Sequence, residues 1–203
     1  MKKYLFICIT LVSYNFVLAQ EKLVKDIDFD GIKDTVYVDA TSFEIVCRLS
    51  SAQFTKMRSK GIESSADNAR LESTKNGFAF QSNWMRAGNA NQFRYNKTLK
   101  KLQLIGMSRY EFGNAANDGS GESSVNLLTG DYIGDWNYFD HLANNENGKL
   151  VKIPTIKTKM IYKQIFLEDF SDATYYNFAD SCYVLFSKYK KLEMKRREAG
   201  KHE

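Results

Sequence analysis

Short runs of strand-forming residues, divided by turn signals, fill this chain from Val36 to Phe166, and a single helical period follows them. That arrangement leaves few folds open. Thr35 to Val38 and Ser42 to Leu49 are rich in β-branched and aromatic residues and predict a hairpin turning across Asp39 to Thr41. In the second of these, Phe43, Ile45, Cys47 and Leu49 recur every two residues and would share a face. Gln53 to Lys60 suits a further strand or a short helix. Ser64 to Asn76 is polar and reads as a loop or a weak helix, closed by the turn signal Asn76-Gly77. Phe78 to Gln81 is a strand, Ala87 to Asn91 turns the chain, and Gln92 to Tyr95 extends it again.

Leu99 to Tyr110 is the strongest strand, apolar on both faces and therefore central. Asn114 to Ser124, rich in Gly, Ser, Asn and Asp, is an exposed loop. Ser123 to Leu128, Asp131 to Phe139, Leu150 to Ile153 and Ile156 to Phe166 complete the strands, with a turn at Asn144 to Gly148. From Ala173 the apolar residues change period: Tyr176, Phe178, Ala179, Cys182, Leu185, Phe186 and Tyr189 form one stripe of a helix that Asp169 or Ser171 would cap. After Leu192 the stripe fades. Antiparallel strands followed by one helix define a mainly β (α+β) class: an antiparallel β-meander, a partial propeller or an open barrel with a C-terminal helix.

The first residues have the layout of a secretory leader. Lys2 and Lys3 precede an apolar run from Tyr4 to Val12, and Val17, Leu18 and Ala19 precede Gln20. The expected organisation is a signal peptide at 1–19, one β-rich domain at 20–192 and a charged tail at 193–203. Cys8 lies too early in the apolar run for a lipoprotein box. The run is also short for a membrane span, so no integral membrane segment is expected after cleavage, and the location expected is periplasmic or secreted. The chain holds 14 Phe and 12 Tyr but a single proline, Pro154, which argues against a disordered or linker-rich protein.

The sharpest motif follows the leader. Asp26, Asp28, Asp30 and Asp34 fall at loop positions 1, 3, 5 and 9, with Gly31 at position 6. A hard cation such as calcium takes several oxygen ligands, and this spacing lets one tight loop supply them, with the Ile32 carbonyl as a further ligand. Gly31 would make the sharp turn. Position 12 is Tyr37 rather than Glu, and the following residues are strand-like, so the helix-flanked EF-hand does not fit. Over Lys25 to Val38 the loop resembles the calcium loops of FG-GAP and VCBS-type extracellular β repeats, where such a run precedes a strand. The resemblance implies a structural Ca2+ fixing a turn between strands; with one loop only, a complete propeller is not implied. From Leu104 to Gly130 the chain is similar to small uncharacterised exported proteins of Bacteroides-like Gram-negative bacteria, some of which, at comparable size, protect against secreted toxins.

Other chemistry is sparse. Cys47 and Cys182 could join as a disulfide or stand as two buried thiols. His141 beside Asp140, and Asp131 with Asp135, are the acid/base candidates, but the reading favoured for them is an ordinary loop. No nucleophile elbow, metalloprotease helix or phosphate-binding glycine loop occurs, and no catalytic or cofactor-binding residue is assigned. Trp84, Trp136, Tyr138 and Phe139 could stack on sugars or fill a core. The positive charge is concentrated in Ser187 to Glu203, which gives no basic surface within the fold and no nucleic-acid role. That tail could instead touch anionic lipid. The favoured expectation is an exported, calcium-stabilised, non-enzymatic binding or interaction protein, inhibitor-like or immunity-like, with a protein or glycan partner. The alternative is a hydrolase or carbohydrate-binding protein acting on cell-wall or host glycans.

Overall fold

The computed structural model describes residues 22–62 and 68–200. The expected leader therefore lies outside the described residues. Two antiparallel sheets, both open, carry one long helix at the C-terminus.

The smaller sheet has four strands in chain order: β1 (Lys22–Lys25), β2 (Asp34–Asp39), β3 (Glu44–Arg48) and β4 (Lys56–Arg58). The expected hairpin is β2–β3, turning after Asp39, whose Oδ1 accepts from Thr41 N at 3.0 Å. Ile45, Val46 and Cys47 are all buried, so β3 is apolar on both faces rather than on one. The region from Gln53 to Lys60, read as a strand or short helix, holds strand β4, and a 3-10 turn at Ser50–Ala52 precedes it.

The larger sheet is a meander of β5 (Ala69–Thr74), β6 (Gly77–Asn83), β7 (Ala87–Asn96), β8 (Lys101–Glu111), β9 (Gly121–Asn126), β10 (Asp131–Asp140) and β11 (Lys149–Lys152), with β12 (Ile156–Lys159) also paired to β10. β8 is central, as expected, between β7 and β9. Three expectations differ. The strand expected over Ile156 to Phe166 ends at Lys159. The polar stretch expected as a loop holds strand β5, because Leu71 is buried opposite Phe80 and the alternating polar residues face outward. Ala87 to Asn91 does not turn; it begins β7. Its small residues suit close packing. Asn89 and Asn91 are buried and bonded side chain to side chain at 2.6 Å, and a Cβ on Gly88 would stand 2.5 Å from the Tyr110 ring. β11 and β12 share one edge of β10, at Asn137–Asp140 and Asp131–Gly134 respectively. Pro154, which has no N–H to donate, falls in the gap between them.

Four of the edge strands are basic; β5, at the other border of the larger sheet, carries Arg70 with Glu72. β1 carries Lys22 and Lys25, β4 carries Lys56 and Arg58, β11 carries Lys149 and Lys152, and β12 carries Lys157 and Lys159.

Helix α1 (Asp172–Ala199) lies on the apolar face of the larger sheet. Ser171, not Asp169, is its N-cap, and Ser171 N donates to Thr174 Oγ1 at 3.2 Å. Phe178 and Cys182 are its deepest apolar residues, and Phe186 meets Trp136 edge-on at 6.1 Å. The segment expected as a tail from residue 193 continues the helix to Ala199. Glu193 is buried there and grips Arg196 at 2.7 and 2.8 Å.

One core joins the layers. Phe170, just before the helix, sits against Phe93 at 5.2 Å and Phe80 at 6.1 Å, both from the larger sheet. Its carbonyl accepts from Lys60 N, just beyond β4 of the smaller sheet, at 3.0 Å. Lys25 ties β1 to the β5–β6 turn by donating to the carbonyl of Thr74.

The two cysteines among the described residues are separate free thiols, Cys47 in the smaller sheet and Cys182 on the helix. Cys182 Sγ lies 3.4 Å from Ser123 Oγ. Burial pushes both thiols up, with the Asp34 and Asp28 charges adding to the effect at Cys47. A thiol held protonated and out of solvent does not react. Neither Cys47 nor Cys182 is therefore expected to be alkylated by iodoacetamide in the folded chain at pH 7.5 over a time in which both react fully in denaturant. Rapid labelling of either one in the folded state would contradict this placement.

Candidate metal-binding loop

The acidic loop lies between β1 and β2, and the strand register explains its shape. Lys25 is paired with Asp34, so the chain from Asp26 to Lys33 must reverse within eight residues. Gly31 makes the expected turn, at a φ of 90° that a side chain rarely adopts. Phe29 is also left-handed, at 64°, and its ring is half-exposed beneath the Lys97 ammonium.

Asp34 is the centre of the loop. It is fully buried, and its two oxygens accept from three backbone N–H groups: Ile27 at 2.7 Å, Asp28 at 3.3 Å and Ser50 at 2.8 Å. Asp28 is buried as well; its Oδ2 accepts from Ser51 Oγ at 2.5 Å. Asp26 braces the turn by accepting from Phe29 N at 2.7 Å and Gly31 N at 3.0 Å. Asp26, Asp28 and Asp34 each offer an oxygen within 4.8 Å of the others. Oxygens 2.3–2.6 Å from a common calcium can stand that far apart on opposite sides of it.

Asp30 is not in this group of three. Its Oδ2 accepts from Ser50 Oγ at 2.6 Å and its Oδ1 from Ile32 N at 2.8 Å. The Ser50 hydroxyl first, and then the Ile32 amide, hold its carboxyl below the usual carboxylate range. Ile32 projects its side chain to solvent at the rim, as Phe29 does.

Ser50 and Ser51 are the members of the site that the acidic spacing did not reveal. They come from the 3-10 turn after β3, some twenty residues on. The hairpin register was the available signal: Thr35 pairs with Arg48, so residues just past Arg48 must lie beside those just before Thr35.

The acid/base candidates do not converge. His141 is exposed and packs its ring on Phe139 at 4.9 Å. Asp131 pairs with Lys159 at 2.7 Å, while Asp135 accepts from Thr155 Oγ1 at 2.7 Å and lies 3.3 Å from Lys152. Trp136 and Tyr138 are core residues, 2% and 0% exposed, and cannot stack on a sugar. Trp84 packs on Tyr175 at 5.6 Å.

The other face of the larger sheet is open and polar. A cleft of about 430 Å³ there is lined by Gln81, Asn83, Ser108, Tyr110, Glu122 and Asp135 among others. Glu122 and Asp135 are direct cross-strand partners. Among the described residues, no helix is long and apolar enough to cross a membrane.

No protein-family model, curated protein or solved structure matches the chain.

Proposed function

We propose that this is an exported, non-enzymatic binding or interaction protein of the periplasm or cell exterior, inhibitor-like or immunity-like, whose N-terminal loop holds a structural calcium ion. The observation that carries the reading is the convergence of Asp26, Asp28 and Asp34 within 4.8 Å, two of them buried. Three carboxylates so close repel one another, and a divalent cation between them relieves that repulsion. The ion's role is to fix the β1–β2 turn and, through Ser50 and Ser51, the end of β3. The partner, a protein or a glycan, would meet the open polar face of the larger sheet.

Calcium titration of the purified chain tests the ion. At a hundredfold excess over Kd, a ligand that binds only the folded state adds about 2.7 kcal/mol. For a chain of this size the expected rise in Tm is about 5–10 °C. Asp26→Asn/Asp28→Asn should remove the rise while leaving the Asp34 contacts in place. A wild-type Tm unmoved by millimolar calcium would sink the reading.

The glycan alternative keeps one specific support, the Glu122–Asp135 pair in the polar cleft, since carboxylate pairs are the usual equipment of glycoside hydrolysis. Asp135 is held below the usual carboxylate range first by the Thr155 hydroxyl and then by Lys152, which suits a nucleophile or a charge stabiliser rather than an acid. Turnover of a cell-wall glycan that Glu122→Gln abolishes would favour this alternative over the binding protein.

A further inference from the structure

A second cleft, of about 550 Å³, opens where α1 crosses the ends of β8 and β10, on the face of the larger sheet opposite to the polar cleft. Its volume is that of a small-molecule site. Phe186 and Tyr183 give it an aromatic wall, with Phe186 seated edge-on against the buried Trp136 ring at 6.1 Å and Tyr183 two-thirds exposed at the mouth. Arg109 closes the inner end. Its side chain is 10% exposed, and its guanidinium stands 5.4 Å from the centre of the Trp136 ring. The Nη2 group donates to Glu111, but Nε is buried and, among the described residues, has no acceptor.

That orphaned donor needs an explanation. Buried polar groups are almost always bonded, and an unmet donor on a charged group is among the costliest exceptions. Nε and Nη2 form one edge of the guanidinium fork, which a planar carboxylate fits with two parallel bonds. Glu111 uses half of that edge. Its side chain is 41% exposed and can turn to water. The remaining charges at the cleft favour an anion. Lys190 is matched by Asp118 at 3.0 Å, whereas Lys191, among the described residues, has no carboxylate partner.

We infer that this cleft binds a small carboxylate with a flat apolar body, such as an aromatic acid, with its carboxylate replacing Glu111 on the Nε–Nη2 edge of Arg109 and its body against Phe186 and Tyr183. The site does not depend on the calcium loop, which lies at the other sheet.

Calorimetric titration of the full chain with 2-naphthoate, beside the uncharged 2-naphthalenemethanol, tests it. The acid should bind at least about tenfold more tightly than the alcohol, the worth of a charge-assisted bond. Glu111→Gln should tighten the acid severalfold and leave the alcohol unchanged, because the competing carboxylate is gone. Lys191→Glu should weaken the acid severalfold. Arg109→Met should abolish the preference for the acid; should that variant fail to fold, the two exposed-residue variants decide. No binding of 2-naphthoate at 1 mM (about −4 kcal/mol on the affinity scale), equal binding of acid and alcohol, or a Glu111→Gln variant no tighter than the wild type would each overturn the inference.

Discussion

Asp34→Ala is expected to lower the stability of the chain by about 3–6 kcal/mol in urea unfolding, because it strands three donors at once. Ile27 N, Asp28 N and Ser50 N all point at the Asp34 carboxylate, and Asp34 and Ile27 are fully buried. Each buried N–H left without an acceptor costs about 1–3 kcal/mol. Removing one negative charge from beside Asp26 and Asp28 offsets part of that loss, more so without calcium than with it. Asp34→Asn separates the two effects. It keeps one acceptor oxygen and sheds the charge, so it should cost less than the alanine variant in the absence of calcium. Both variants should lose the calcium-dependent rise in Tm. An alanine variant within 1 kcal/mol of the wild type would show that the β1–β2 turn does not depend on Asp34.

Phe170→Ala should cost about 3–5 kcal/mol, the range for emptying a buried aromatic site. The ring is 1% exposed and lies edge-on to Phe93, while the carbonyl of the same residue holds Lys60 N. The side chain belongs to the core of the larger sheet and the backbone to the smaller one. The loss should therefore appear as a lower midpoint of a single transition with an unchanged m-value, both sheets unfolding together. Two separate transitions in the variant would show that the sheets are independent folding units.

The sequence revealed the elements better than their association. The β2–β3 hairpin, the central place of β8 and the C-terminal helix were legible because each is a local pattern of apolar residues read at a period of two or 3.6. Strand β5 was hidden because Leu71 is its one buried residue and Ala69 its only other apolar one, too short an alternation to read. The start of β7 was hidden for a related reason. Gly88, Asn89 and Asn91 carry turn chemistry, yet the sheet needs small side chains there and lets the two asparagines satisfy each other. At the acidic loop, the spacing identified Asp26, Asp28 and Asp34 but gave all its carboxylates one role. In the fold Asp34 organises the backbone and Asp30 turns to Ser50, a division set by long-range pairing that the spacing does not contain. Trp136 and Tyr138 suited a core better than a sugar platform, and the cover given by the helix places both in the core.

Both sheets are open, so each ends in a row of backbone groups that another chain could pair with. Lysines and Arg58 stand along β1, β4, β11 and β12, and Pro154 interrupts the edge that β11 and β12 share. Two strands bearing like charges repel when laid side by side, so a copy of this chain cannot readily extend its neighbour's sheet. The protein resists aggregation at its borders, where a closed barrel would have had no border to defend. Neutralising Lys157 and Lys159 together is expected to leave the fold in place and to raise self-association along the β12 edge, read by light scattering.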